Sequence, residues 1–350
     1  MRDSTSILTN LRSRYNPDND RLVEGRMYSE LSGEEKVTAK YIKAAMSEVD
    51  QHYTQITLDA GDAVKRQLNA KQTGISYEYQ GSVMTRTHIR GVSDIDLLTL
   101  TNKFQDTELT KVIDILESYS LKSQYSFTSQ LRLQQFRDDF SRYTGDSDAD
   151  LMALRLDNEG ILRTVYCNCD ISNAKSIKVH HQHYNRDIDV VTANWLVTVG
   201  SIINDNDKTY KGVKVFDKEK RVTLPVDYPF LSIKRINDRS ADTGGRLKKM
   251  IRFLKNVVAD SDRNINLHSF EINALCYACP PQEYKELYYL DLAYYIWRWM
   301  YNLHQDNGRL DALKSVDGSE YVFYNKSERV EALKLLEDEV WNLYQTLNRS

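Results

Sequence analysis

Apolar residues recur at three- and four-residue spacing through Ile42, Met46, Val49, Tyr53, Ile56, Ala60 and Val64. This stripe predicts one long amphipathic helix, bent near Gly61. Ser32-Gly-Glu-Glu35 precedes it as a capping box, Ser32 at the N-cap and Glu35 reaching back. The period then changes. Ile75 to Gln80 (ISYEYQ) and Ile95 to Leu100 read as strands, and Thr107 to Leu121 as a helix. Lys122 to Leu156 is helical in pieces, with a break near Thr144-Gly145. Strand character returns at Arg163 to Cys169, at Ser176 to His181 and at Arg186 to Ala193, the last an acid-led apolar strand expected beside Ile95 to Leu100. Lys211 to Leu224 reads as a hairpin turning at Asp217 to Lys220. Leu247, Met250, Ile251, Leu254 and Val258 form the buried face of a helix over Gly244 to Val258. The remainder is mainly helical, with an aromatic-rich stretch from Tyr288 to Leu303 and an amphipathic closing helix from Val330 to Leu347. The aromatics are expected in the core, where helical spacing usually puts them. The fold class is therefore α/β (α+β): a mixed β-sheet lobe with a long N-terminal spine helix, plus a helical C-terminal lobe. The expected boundaries are a polar lead-in over residues 1–31, a sheet lobe over 32–200 and a mainly helical lobe over 201–350.

Composition narrows the function classes. A 350-residue chain with 41% hydrophobic and 28% charged residues can bury a core, and its 47 Lys and Arg nearly balance 50 Asp and Glu. A net charge of −3 gives no global basic field, so constitutive nucleic-acid binding is not expected. No stretch is long and apolar enough to span a membrane, and MRDSTSILTNLRSRY lacks the apolar core of a signal peptide. The expectation is a cytoplasmic monomer.

Chemistry concentrates where the strand pattern is interrupted. After ISYEYQ comes Gly81-Ser82, where the backbone can approach a bound group closely and where free N–H groups and the Ser82 hydroxyl can hold phosphate oxygens. The spacer VMTRTHIRGVS leads to Asp94-Ile95-Asp96, whose carboxylates project from one face of a strand while Ile95 and Leu97 pack behind. Two such carboxylates repel each other unless a cation lies between them, and hard oxygens at this spacing suit Mg²⁺ brought in on a triphosphate. A third carboxylate on Arg186 to Ala193 would complete two-metal chemistry, and Asp187 and Asp189 share a strand face there.

The order strand, Gly-Ser, spacer, Asp-Ile-Asp resembles the DNA polymerase β-like nucleotidyltransferase superfamily. QGSVMTRTHIRGVSDIDLL, with Thr-x-Ile before Ser-Asp-Ile-Asp, looks most like its cyclic GMP-AMP synthase and bacterial CD-NTase branch. The resemblance spans about residues 35 to 275. It implies that Asp189 is the third carboxylate, matching an Asp-Val-Val/Leu-Pro-Ala-like segment with Thr192 in place of the proline and Asp187 as the fallback. It also implies triphosphate contacts from the Ile-Arg-x-Leu-Lys helix, Lys255 holding the donor triphosphate and Arg252 serving either nucleotide, and a phosphate hydrogen bond from Ser269. Without the resemblance, Lys248, Arg252 and Lys255 read as a solvated basic stripe.

The activity so implied is Mg²⁺-dependent (Mn²⁺ also possible) nucleotidyl transfer between nucleoside triphosphates lying between the lobes, with pyrophosphate released. Asp94 and Asp96 would hold both ions, and Asp189 would position the ion that activates the attacking hydroxyl and could accept its proton. The product would be a cyclic di- or trinucleotide messenger of a bacterial anti-phage (CBASS-type) system, open to control by a regulatory protein. Two alternatives stay open: a nucleotidyltransferase that modifies RNA or protein, and a non-catalytic nucleotide-binding module. Cys276 and Cys279 read as buried free thiols, His180, His181 and His183 as side chains that diverge, and His88 as an exposed loop residue.

Overall fold

The structure is a computed structural model that describes residues 7, 9–11, 14, 37–91 and 94–348, with side chains from 38 to 346 in the terminal helices. The chain forms two compact units: a helical unit within residues 1–53, 82–93 and 235–350, and a sheet unit of residues 54–81 and 94–234. The Ser32 capping box lies outside the described residues.

The expected single spine is two helices, Val37–Met46 (α1) and Gln51–Asn69 (α2). The break falls at residues 47–50 rather than at Gly61. Ser47 ends the first helix by donating from Oγ to the Lys43 carbonyl at 2.9 Å, and Asp50 starts the second by accepting the Tyr53 N–H at 2.8 Å.

In the sheet unit, Ile75–Gln80 (β1) pairs antiparallel with Ile95–Thr101 (β2), and β2 pairs parallel with the later strand Arg186–Val197. Gly61 has a packing role instead of a bend: a Cβ there would lie 2.9 Å from the Tyr79 ring of β1. Between β2 and the long strand come Asp106–Thr107 (β3), Leu109–Glu117 (α3), Phe127–Asp139 (α4), Ser147–Val165 (α5), Cys169–Asp170 (β4) and Ile177–His181 (β5). The long strand Arg186–Val197 (β6) then pairs antiparallel with β5, and its far end pairs with β3 and with Gly212–Asp217 (β7) of the predicted hairpin, closed by Val222–Thr223 (β8). Strand character expected over Arg163 to Cys169 is confined to its end, because α5 runs on to Val165.

β6 organises this sheet. Over its first half, half-buried Asp187 and Asp189 alternate with fully buried Ile188 and Val190, so one face stays open. From Val190 to Trp195 both faces are covered. Helix α5 supplies one cover: Asn158 donates to the Thr99 hydroxyl of β2 at 2.9 Å and the Thr192 hydroxyl of β6 at 3.1 Å. Thr99 and Thr192 lie three residues beyond Asp96 and Asp189, so they point to the opposite face. Arg155, fully buried on α5, pairs with Glu159 at 2.8 Å and donates to the carbonyls of Asn173, Ala174 and Ser176 at 2.8, 3.3 and 3.0 Å. That fork fixes the segment entering β5.

Pro229–Asp242 (α6), which enters the helical unit at residue 235, leads into Arg246–Asp260 (α7), followed by Ser269–Tyr277 (α8), Tyr289–His304 (α9) and Ser327–Asn348 (α10). Of the aromatics expected in the core, Tyr295 is buried and Trp297 stacks on Trp341 of α10 with ring centroids 4.1 Å apart, whereas Tyr301 and, just before α9, Tyr288 are exposed. Ile7 and Leu11, within the expected polar lead-in, are buried in this core. Helix α7 lies at its centre. Its Asn256 and Arg252 donate to the Ala45 and Met46 carbonyls, both at 2.9 Å, satisfying carbonyls that the buried end of α1 cannot pair within the helix.

The same helix anchors residues 82–91. Arg252 donates to the Arg86 carbonyl at 2.8 Å and Lys255 to the Thr87 carbonyl at 3.2 Å. His88, expected on an exposed loop, is instead 1% exposed. Burial, and then the charges of Lys255, Arg252 and Arg90, hold its pKa down at about 4 against an ordinary 6.5.

Two predictions follow from these contacts. Arg155→Met leaves Glu159 with Lys218 as its remaining cation and the Asn173 and Ser176 carbonyls without the guanidinium, and should destabilise the protein by about 2–4 kcal/mol in urea unfolding. Neutral in the fold and protonated more readily when unfolded, His88 gives stability that is complete above pH 6.5 and lost as pH falls toward 4. Unfolding midpoints of His88→Gln should therefore decline less over this window than wild type, the difference approaching on the order of 2–3 kcal/mol.

Candidate active site

The open face of the sheet gathers the predicted acids. In the parallel pairing of β2 and β6, Asp96 stands directly opposite Asp189 and Ile95 opposite Ile188. Asp94 lies immediately before β2, and Gln80, the last residue of β1, faces Asp96 from the other side. Gly81 then turns the chain at φ +89°, and a Cβ at this position would fall 2.6 Å from Asp96 Oδ2. Glycine is needed twice over, for the dihedral and for the space above the carboxylate.

Electrostatics reflects the crowding. Burial, then the negative charges of Asp189 and Asp94, push the Asp96 carboxyl up to about 7, with Lys178 acting the other way. Asp189 is also raised, mainly by burial, and its Oδ1 is a buried oxygen with no hydrogen-bond partner. A buried carboxylate oxygen left unpaired costs free energy that a cation would recover.

Sequence reasoning missed Lys178. It stands opposite Asp189 in the antiparallel β5–β6 pairing, and its Nζ is 2.6 Å from Asp94 Oδ2 and 3.8 Å from Asp187 Oδ2. His180, two residues along β5, contacts the other Asp187 oxygen through Nδ1 at 2.6 Å. Asp187, the fallback third carboxylate, is thus engaged by His180 and Lys178, whereas Asp189 faces Asp96. The only sequence signal for Lys178 was the alternation of Ile177 to His181, which gives its face but not its partner strand.

The donor set fits a hard divalent cation: carboxylate oxygens, one of them buried and unpaired, in a patch where negative charge is under-compensated. Among the described residues no three His, Cys, Asp or Glu side chains are already gathered around a metal position. Asp94 points its Oδ2 at Lys178 instead.

The remaining predicted residues belong to the helical unit. Ser82 is half-buried and its carbonyl accepts the Thr87 N–H at 2.9 Å. Arg252 and Lys255 do not form a solvated stripe; they are 5% and 6% exposed and hold the segment that Ser82 opens. Burial lowers Lys255 to about 7 and Arg252 to about 10, and no carboxylate pairs with Lys255 among the described residues. Ser269 is exposed in the first turn of α8, whose start is capped by Glu271 accepting the His268 N–H at 2.8 Å. Cys276 and Cys279 are buried free thiols, each raised mainly by burial. No helix among the described residues is long and apolar enough to cross a membrane.

Residues 234–345 match the family model described as the cGAS/DncV-like nucleotidyltransferase C-terminal helical domain. The chain is 47% identical over 348 residues to a c-di-GMP synthase of a Lachnospiraceae bacterium, covering 99% of each protein. Among solved structures it is similar to a STING-associated CdnE c-di-GMP synthase from Flavobacteriaceae sp., with TM-score 0.86, 32% identity and 100% of both chains covered. It is likewise similar to the STING-associated CdnE c-di-GMP synthase from Capnocytophaga granulosa, with TM-score 0.79, 34% identity and 99% of both chains covered. Site geometry, helical domain and full-length similarity agree: this chain belongs to the CD-NTase family, the cGAS/DncV-like nucleotidyltransferases that make cyclic oligonucleotides.

Proposed function

We propose that this nucleotidyltransferase joins two GTP molecules into c-di-GMP. Full-length similarity to c-di-GMP synthases supports the choice of product. The observation carrying the site assignment is the register of Asp96 against Asp189 on parallel strands, beside the glycine that leaves room above Asp96. In each of two rounds a ribose hydroxyl oxygen bonds to the α-phosphorus of a 5′-triphosphate, first that of GTP and then that of the linear dinucleotide, and the bond from that phosphorus to the pyrophosphate oxygen breaks. The hydroxyl proton leaves to a base, and one pyrophosphate is released per round.

Asp94, Asp96 and Asp189 are the residues that would hold Mg²⁺. Bound there, the metal supplies charge neutralisation and lowers the pKa of the attacking hydroxyl. Asp189 could also receive the proton, through whichever carboxylate oxygen the metal leaves free. Gly81 lets the backbone come close to phosphate, and Ser82 offers a hydroxyl and an N–H to the same group. Arg252 and Lys255 serve the triphosphate by holding the Ser82 segment in shape and by contributing positive charge, which an anion would stabilise against the cost of burial. Ser269 is a lesser phosphate contact. The product would act as a second messenger in cytoplasmic anti-phage signalling.

The test is mass spectrometry of products from the purified protein with each nucleoside triphosphate and Mg²⁺, alongside pyrophosphate release. GTP alone should yield c-di-GMP with two pyrophosphates per product. Asp96→Asn and Asp189→Asn should each lower the rate on the order of 10³-fold, about 4 kcal/mol of lost transition-state stabilisation, while keeping the far-UV spectrum. A cyclic product that requires ATP or UTP would replace the c-di-GMP assignment. Undiminished turnover in both variants would remove the carboxylates from the mechanism.

A further inference from the structure

Lys178 has no part in the scheme above, yet its ammonium lies within the acidic cluster. Four carboxylates, Asp94, Asp96, Asp187 and Asp189, occupy neighbouring positions on β2 and β6 or directly before β2. Lys178 sits between two of them, 2.6 Å from Asp94 and 3.8 Å from Asp187. Its side chain is 44% exposed, which leaves its flexible four-carbon stem room to swing.

We propose that Lys178 is a resident counter-cation that occupies Asp94 in the metal-free protein and moves to Asp187 when a divalent metal takes Asp94. The inference rests on the reading of Asp94, Asp96 and Asp189 as the metal ligands. Like-charged carboxylates at this spacing need a cation, and before metal arrives the Lys178 ammonium is the one in contact. A metal ion bonded to Asp94 and an ammonium 2.6 Å from the same carboxylate repel each other strongly, so one has to leave. Asp187 is the second seat. One of its oxygens is held by His180 at 2.6 Å, leaving the other, Oδ2, directed to within 3.8 Å of Lys178. Metal binding is then an exchange at Asp94: a lysine–Asp94 pair breaks, a metal–Asp94 bond and a closer lysine–Asp187 pair form, and the entering ion offsets negative charge of the four-carboxylate cluster.

Lys178 is therefore a positioning residue with an unusual signature, since its removal strengthens metal binding. A lysine with a merely structural role would weaken binding or leave it unchanged when removed. The experiment is titration of the full chain, stripped with chelator, with Mn²⁺ alone, following free Mn²⁺ by electron paramagnetic resonance. Lys178→Met should bind Mn²⁺ about tenfold more tightly than wild type. Asp187→Asn, which removes the second seat, should bind more weakly than wild type, and Lys178→Arg should stay close to it. Metal-free Lys178→Met should also melt below wild type and recover more on adding Mn²⁺, a readout that shows the variant folds.

Asp96→Asn separates the two layers of the argument. If it binds Mn²⁺ as wild type does, the metal-site reading itself fails. If Asp96→Asn loses Mn²⁺ while Lys178→Met binds no more tightly than wild type, or neither binds, the exchange is overturned and the ligand assignment is judged by the Asp96 result alone.

Discussion

Parallel pairing between β2 and β6 is the constraint on which the sheet unit depends. It brings two carboxylates from segments some ninety positions apart into direct register, Asp96 against Asp189, in a partly buried setting where neither is well solvated. Nothing about folding favours that juxtaposition; like charges on adjacent strands oppose the pairing. The strands hold because the rest of their length is apolar and covered, with Leu97, Leu98, Leu100, Val190 and Ala193 all buried. At about 25 cal/mol per Å² of apolar surface, a few such side chains outweigh one strained pair. The candidate site is a local electrostatic cost carried by a hydrophobic sheet, a cost that a bound cation would offset.

Much of this was legible in the chain, for identifiable reasons. Period-two alternation gave β1, β2, β5 and β6, and the Gly-Ser and Asp-Ile-Asp segments drew attention because their chemistry needs short-range spacing. The third acid was narrower: Asp187 and Asp189 are equivalent by strand parity, and the pairing of β6 with β2 and β5 is what distinguishes their neighbours. Lys178 was invisible for the same reason. Alternation fixes which face a residue takes but not which strand lies alongside, so a lysine in IKVHH looks like an ordinary surface position. The spine helix was misread because its apolar stripe continues in phase across residues 47–50, whereas the break depends on hydrogen bonds from Ser47 and Asp50 that periodicity does not report.

Helix α7 presents the complementary case. Its basic residues look like a solvated stripe by spacing, yet Arg252, Lys255 and Asn256 are buried and spend donors on the carbonyls of α1 and of residues 86 and 87. A helix covered on all sides cannot have a free polar face, and its cations become struts. His88 follows from the same arrangement: three nearby cations and burial leave it neutral, so a histidine that reads as a loop residue becomes part of a positively charged interior.

The departure of Thr192 from the proline expected by resemblance is explained from the back of the sheet. Thr192 and Thr99 are paired residues on β6 and β2, both fully buried, and Asn158 of α5 donates to both hydroxyls. The Asn158 amide oxygen in turn accepts from Gln72 at 2.9 Å. Proline at 192 would delete the hydroxyl and the backbone N–H where β6 pairs with Thr99 of β2, and leave one Asn158 contact unmet. The substitution is thus not a sign of a decaying site. Three residues from Asp96 and Asp189, on the opposite face, the two threonines tie β2 and β6 to one buried amide. That bond pattern resists sliding of one strand against the other, and sliding by a single residue would turn Asp189 away from Asp96.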